Sequence, residues 1–499
     1  MEIYVVQAGD TLNAIAQRSG LSAERIASEN RLFPPYELVV GQTLVLRFPD
    51  QVYTARSGDT LYSVARASGI PVRQLYRNNT VLEGSPTLYP GQTVVLSYQG
   101  DSAKYPPIAV NGYAYPFIDP GLLRRTLPFL TYITPFTYGI QPDGALVPLE
   151  DQALLTAARN VGTGALMHLS TLTDEGSFSN ELASLVLNDQ DVQGVLIDNV
   201  LNTLETKGYS GLDVDFEFVF PQDAAAYASF IRRLRERLNP RGYPVVVALA
   251  PKTSADQPGL LYEGHDYRAL GAAADRVFLM TYEWGYTYGP PMAVAPLPNV
   301  RSVVEYALTE LPAGQIWLGI PAYGYDWPLP FRQGETRATS ISPQYAVSLA
   351  RRYGVAIQYD ETAQAPWFRY TDERGTAHEV WFEDARSIAA CPEPDTGISC
   401  APLPKTGWCW TVCSTFRTPS KRKILSFIKS SQHVIKLSIN SLFSMIFYTC
   451  KDPIPIPTSS LSLFATPLCS PEGQWLFRGG RPRSSAGRHF GSPAFFLPV

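Results

Sequence analysis

The run Gly208-Tyr209-Ser210-Gly211-Leu212-Asp213-Val214-Asp215-Phe216-Glu217 alternates apolar and acidic side chains with a period of two. On a β-strand that period sends Leu212, Val214 and Phe216 to one face and Asp213, Asp215 and Glu217 to the other. An edge strand with a solvated acidic face would meet the alternation alone. The apolar face needs a cover, however, and the helical stretch Ala224–Leu238 that follows supplies one. A strand enclosed in a barrel satisfies both faces. There the carboxylates crowd one another and resist full ionisation, so that the outermost can keep a proton and act as a general acid near neutral pH.

From Ile108 to Asp384 short apolar strands alternate with helical stretches, the pattern of a parallel α/β fold. Candidate strands are Ala109–Tyr115, Thr131–Pro135, Gly164–Leu169, Gly211–Phe216, Pro244–Ala250, Arg276–Tyr282 and Gln315–Pro321. A (β/α)8 TIM barrel has eight strands in ~250 residues and carries its active site at their C-terminal ends. The pattern predicts such a barrel over 108–390, with a small α+β insertion at 337–377 and an eighth strand, due after Ala385, that is missing. The insertion is expected to hold a helix (Pro343–Tyr353) and strands around Ile357–Tyr359 and Trp367–Tyr370, and Val380–Ser387 to start another helix.

Ahead of the barrel, residues 2–48 and 51–98 repeat one another, and 99–107 read as a linker. Val6-Gln7-Ala8-Gly9-Asp10-Thr11-Leu12 recurs as Ala55-Arg56-Ser57-Gly58-Asp59-Thr60-Leu61, and Gly41-Gln42-Thr43 as Gly91-Gln92-Thr93. Each unit reads as βααβ, with Gly-Asp-Thr a turn whose Asp or Thr caps a helix. Leu12, Ile15 and Ala16, matched by Leu61, Val64 and Ala65, mark one helical face. Both repeats resemble LysM domains, and that resemblance implies binding of N-acetylglucosamine-containing glycans such as peptidoglycan or chitin. Gly9, Asp10, Thr11, Gly58, Asp59 and Thr60 are the candidate glycan contacts; the competing role for them is to shape the turns.

The acidic run is similar to the Asp-Gly-x-Asp-x-Asp-x-Glu signature of family 18 glycoside hydrolases, with Ser210 where the family has its first Asp. The resemblance implies that Glu217 is the acid/base, Asp215 the residue that orients the substrate acetamide, and Asp213 its inner partner. Met280-Thr281-Tyr282-Glu283 resembles the family's Met-x-Tyr-Asp motif, so that Tyr282 would hydrogen-bond the reacting acetamide. Met280, Glu283, Trp284 and Tyr113 are further candidate substrate contacts. The family carries out substrate-assisted retaining hydrolysis, in which the sugar's own N-acetyl oxygen attacks the anomeric carbon. Tandem LysM repeats before such a barrel look like the spore-cortex-lytic N-acetylglucosaminidases of endospore formers. A chitinase shares every residue named, and a glycan-binding protein with a disabled barrel is the rival from another class.

Forty-one Lys+Arg against 45 Asp+Glu leave a formal charge of −4, so no basic excess points to nucleic acid. No stretch reaches the ~18 apolar residues of a spanning helix, and Met1-Glu2-Ile3-Tyr4 has neither the basic nor the apolar region of a signal peptide. The expected partner is peptidoglycan or another N-acetylglucosamine polymer, met by a monomer without cofactor, metal or membrane insertion. The resemblance implies synthesis in the mother-cell cytoplasm and deposition on the spore.

The region 391–499 differs in kind. All six cysteines (Cys391, Cys400, Cys409, Cys413, Cys450 and Cys469) lie in it, as do six lysines against three before Ala390. Their spacing suits neither a zinc site nor a regular disulfide frame. The family's eighth strand ends in Tyr-Trp, which the chain lacks. Codons regrouped from Ala390 could encode a string containing Gly-Ala-Gly-Tyr-Trp-Asp, so a deletion with a frameshift is the expected origin of this tail.

Overall fold

A computed structural model describes residues 1–100, 108–173 and 178–390, together with the backbone of 399–400 and 408–414. Linker residues 101–107 and the rest of the tail lie outside the described residues.

Each N-terminal repeat is a βααβ unit. In the first, β1 (Glu2–Val5) pairs antiparallel with β2 (Thr43–Leu46), and α1 (Leu12–Ser19) and α2 (Ala23–Asn30) lie between them in sequence. The second repeats this with β3 (Pro49–Thr54), α3 (Leu61–Ser68), α4 (Val72–Asn78) and β4 (Thr93–Tyr98). Thr11 and Thr60 are the N-caps of α1 and α3, each accepting a backbone N–H three residues on. Gly20 and Gly69 end those helices in the left-handed conformation that a residue without Cβ adopts freely. Asn30 locks helix to strand: its amide donates to Ile26 O and Val45 O and its carbonyl accepts from Val45 N. Asn79 makes the same three bonds with Leu75 and Val95.

The barrel strands are β5 (Ile108–Ala114), β6 (Tyr132–Pro135), β7 (Gly164–Ser170), β8 (Gly211–Asp215), β9 (Val245–Leu249), β10 (Arg276–Leu279) and β11 (Ile316–Ile320). They pair in parallel in that order. Leu212 and Val214 of β8 share the outer apolar layer with Phe216 and with Tyr227, Phe230, Ile231 and Leu234 of α5 (Ala224–Leu238). This is the cover that the alternation required. A second layer fills the lumen with Tyr113, Phe136, Leu166, Phe278, Met280, Tyr282 and Trp317.

One expectation is corrected. The insertion is wider than 337–377: a five-stranded sheet runs β13-β12-β16-β15-β14, with β12 Gly324–Leu329, β13 Thr339–Ile341, β14 Gln358–Asp360, β15 Ala365–Thr371 and β16 Ala377–Trp381. Its two outer segments are joined by antiparallel pairing of β12 with β16, which a local reading of either misses. Seven parallel strands are described, and the eighth position is taken by segments of the tail instead of a further barrel strand. After helix α6 (Ala385–Ala390), β17 (Ser399–Cys400) pairs with β11, and β18 (Trp408–Ser414) runs antiparallel between β11 and β5. The facing edges of β5 and β11 would otherwise leave backbone N–H and C=O groups unpaired, and a strand of either direction satisfies them.

The two repeats dock by different faces, the first on the insertion and the helix after it, the second on the barrel. Ile357 N donates to Val40 O at 2.9 Å, and the Arg386 guanidinium donates to Gly41 O at 3.1 Å. A Cβ on Gly41, whose φ is +85°, would lie 1.9 Å from Ile357 O. The second repeat uses α4 instead, with Arg73 and Arg77 both donating to Pro128 O, at 2.8 and 2.7 Å. Its Gly91, at φ +86°, faces open space.

Candidate active site

Strand β8 carries Asp213 and Asp215 in the alternating positions that the period of two requires. Asp213 and Asp215 are buried, whereas Glu217, two residues beyond the strand, is half-buried. Phe218 turns the chain away behind Glu217 with φ +56°. The strand end is pinned from the next turn of the barrel. Ala250 N donates to His265 Nδ1 at 2.8 Å, so Nε2 carries the hydrogen and donates it to Phe216 O at 3.0 Å. Burial, the largest cause, lowers the His265 pKa to about 4, and the ring is a neutral strut at physiological pH.

Inside the lumen Tyr113 OH donates to Asp213 Oδ2 at 2.5 Å. Burial pushes the Asp213 carboxyl up to about 6, against the lowering effects of His168 and of the Tyr113 hydrogen bond, with Asp215 adding a smaller rise. The group shifted upward is thus the innermost of the three, and burial rather than mutual crowding is the main cause. Both Asp215 oxygens are buried and accept no hydrogen bond among the described residues. A buried carboxyl left without a hydrogen-bond partner is costly.

Tyr282, Met280 and Tyr113 belong to the same buried lumen cluster. Tyr282 lies past the end of β10, which stops at Leu279 rather than running on to residue 282. The chain kinks there through Thr281 N to Leu279 O and Tyr282 N to Met280 O, both 2.9 Å. Glu283 follows at φ +66° and accepts from Tyr323 OH at 2.5 Å and Tyr325 OH at 2.9 Å. Trp284 is half-buried and packs against the outer apolar layer, not the lumen cluster that holds Tyr282.

Sequence reasoning passed over His168. It stands on β7 directly beside Asp213 in the strand register and is fully buried, with Nδ1 2.6 Å from Thr137 Oγ1 and Nε2 3.6 Å from Asp215 Oδ2. The available signal was phase: in Leu166, His168 and Ser170 the polar groups fall on the alternate positions that face the lumen.

In the repeats, the Asp10 carboxylate accepts from Tyr4 OH at 2.6 Å, Gln7 N at 2.8 Å and Arg18 at 2.7 Å. Those bonds, Tyr4's first, hold it down at about 2. Asp59 accepts from Arg56 N at 2.7 Å and Tyr53 OH at 2.8 Å, which lower its pKa too. Both aspartates brace their own turns. The glycines before them, Gly9 and Gly58, are exposed, with φ +83° and +84°, and Thr11 and Thr60 are caps. No cluster of His, Cys, Asp or Glu among the described residues could hold a metal, and no helix among them is long and apolar enough to cross a membrane.

The family model for glycosyl hydrolases family 18 matches residues 156–391, and that for the LysM domain matches 4–47 and 53–97. The chain is 44% identical over 398 residues to the cortical fragment-lytic enzyme of Bacillus subtilis (strain 168), covering 78% of this chain and 90% of that protein. The cortical fragment-lytic enzyme of Bacillus anthracis is 39% identical over the same shares. The crystal structure of the Bacillus megaterium QM B1551 spore cortex-lytic enzyme SleL aligns with a TM-score of 0.64 at 40% identity, again over 78% and 90%. A barrel strand bearing these carboxylates, behind two LysM repeats and with relatives this similar over most of their length, makes the chain a member of glycosyl hydrolase family 18.

Proposed function

We propose that the chain hydrolyses β-1,4 bonds at N-acetylglucosamine in spore-cortex peptidoglycan, with the LysM pair holding it on the glycan. The observation that carries the reading is Asp215, whose two buried oxygens lack donors, followed two residues on by the half-buried Glu217. In this reading the substrate's acetamide N–H donates to Asp215, which turns the acetamide oxygen onto the anomeric carbon. Glu217 gives its proton to the leaving oxygen as the C–O bond breaks and a bicyclic oxazolinium forms. The Glu217 carboxylate then takes a proton from water, whose oxygen attacks the same carbon and reopens the acetamide. Asp213 and Tyr113 support Asp215 from below; Tyr282, Met280 and Glu283 line the sugar, and Trp284, packed against the outer apolar layer, does not. No cofactor or metal enters these steps. The relatives' names suggest action on cortical fragments, and the spore wall as the place of work.

A second reading, a peptidoglycan binder with a disabled barrel, draws on the antiparallel β18 in the eighth position, where the family resemblance calls for a parallel strand ending in Tyr-Trp. The frameshift origin of 391–499 stays part of this proposal, and the gene's nucleotides test it: synonymous choices that forbid Tyr-Trp in the shifted frame would sink it. Reducing-sugar release from soluble cortical fragments separates the two functions. Turnover supports the hydrolase; retention on cortex sacculi without release of sugar supports the binder.

A further inference from the structure

We propose that the two repeats have divided one task. The turn Val39–Gln42 of the first is taken up in holding that repeat to the insertion and α6. The same turn of the second, Tyr89–Gln92, takes an N-acetylglucosamine unit, whose acetamide N–H donates to Pro90 O or Gly91 O while its ring lies on Tyr89. The inference rests on the reading that the repeats hold a glycan, and it names the site that does so.

The two turns are built alike. Gly41 N donates to Val6 O and Gly91 N to Ala55 O, both at 2.8 Å, and the glycines share a positive φ, +85° and +86°. Gln42 N donates back to Val39 O at 2.9 Å, and Gln92 N to Tyr89 O at 3.0 Å. The side-chain carbonyl of each glutamine accepts from the residue that opens its turn, Val39 N at 3.1 Å and Tyr89 N at 3.0 Å. With the same backbone, Pro90 O and Gly91 O face outward as Val40 O and Gly41 O do.

What differs is the residue that opens the turn and what lies against it. Val39 is 6% exposed, packed into the insertion with Ile341, Leu349, Ile357 and Phe368. Val40 O accepts from Ile357 N, and Gly41 O from the Arg386 guanidinium. The chain itself thus fills the first turn with an amide N–H, a second donor and an apolar surface. N-acetylglucosamine offers the same set in its acetamide, its hydroxyls and the C–H face of its ring. In the second repeat Tyr89 is 71% exposed, Pro90 and Gly91 are exposed too, and neither of their carbonyls accepts a hydrogen bond among the described residues. A lone exposed ring means little. One that stands where its counterpart is buried against a partner marks a binding surface.

The seat of that ring is held in place. Leu61 N donates to Pro86 O at 2.8 Å, and Thr87 pairs with Thr60 in an antiparallel bridge. The segment leading to Tyr89 is thereby laced to the start of α3, by contacts without a counterpart in the first repeat among the described residues. A tyrosine on a fixed loop gives up little freedom when a ligand stacks on it.

The test is retention of the full chain on cortex sacculi, read by pelleting, for Tyr89→Ala, Tyr89→Phe and Phe33→Ala. Phe33, 60% exposed, is the matching exposed ring of the first repeat. Tyr89→Ala is expected to weaken retention about tenfold, and Tyr89→Phe and Phe33→Ala to leave it within about twofold of wild type. A loss with Phe33→Ala as large as that with Tyr89→Ala overturns the division of labour and leaves the glycan reading standing. No loss with Tyr89→Ala, or a loss that Tyr89→Phe does not restore, also overturns the proposal. A wild-type chain that is not retained overturns the glycan reading of the repeats, and this proposal with it.

Discussion

Tyr4 and Asp10, Tyr53 and Asp59, and Tyr113 and Asp213 form the same phenol-to-carboxylate hydrogen bond, at 2.6, 2.8 and 2.5 Å. In the repeats the pair lies at the water's edge, further N–H groups join it, and the carboxyls sit below the ordinary range, Asp10 at about 2. In the barrel, burial outweighs the same bond and lifts Asp213 to about 6. One motif thus gives a permanently charged brace in one region and a titratable group near neutrality in the other. The difference is solvent, and it divides turn building from chemistry.

The sharpest way to break this division is to neutralise one carboxylate in each region. Asp215→Asn is expected to lower kcat on soluble fragments by about 10²–10⁴-fold, whereas Asp59→Asn should lower Tm and leave kcat within about twofold. Comparable kinetic losses would erase the distinction. Next comes the phenol. Tyr113→Phe removes a bond that lowers the Asp213 pKa, so kcat should drop about tenfold and its pH profile move up, while Tyr53→Phe moves only Tm.

A smaller effect sets the two repeats against each other. Gly41→Ala drives a Cβ into Ile357 O, whereas Gly91→Ala meets only the strain of a positive φ, about 1–2 kcal/mol. Differential scanning calorimetry should show the larger Tm loss at Gly41; equal losses would mean that docking through the first repeat adds nothing. The smallest effect is in pH. Asp213 binds its proton more tightly folded than unfolded, so it contributes stability at low pH that is lost as pH rises from about 4 through about 6. Asp10 runs the other way: its contribution is present above about 4 and lost as pH falls toward about 2. Asp213→Asn should flatten the first slope and Asp10→Asn the second, read as Tm against pH.

Much of this was legible in the chain because it is local. Seven barrel strands stand where apolar runs and turns put them, α5 spans Ala224–Leu238 as its apolar face requires, and the period of two set Asp213 and Asp215 on one side. What escaped depends on contacts distant in sequence. His168 has meaning only beside Asp215, which β7 and β8 bring together through register. Gly41 and Gly91 are identical in motif and differ because only one lies against Ile357. The insertion's true width follows from β12 pairing with β16, some fifty residues on. The antiparallel β18 escaped for another reason: its segment falls in a tail whose composition is unlike the rest, and only the empty slot between β5 and β11 selects it.

The central claim, that Glu217 on the acidic strand breaks a glycosidic bond, is tested most directly by reducing-sugar release from soluble cortical fragments with the chain and its Glu217→Gln variant, both checked for retention on cortex sacculi. The account predicts release by the chain, a loss of about 10³-fold or more in the variant, and equal retention of both. Equal release by the two, or retention without release by either, would contradict it.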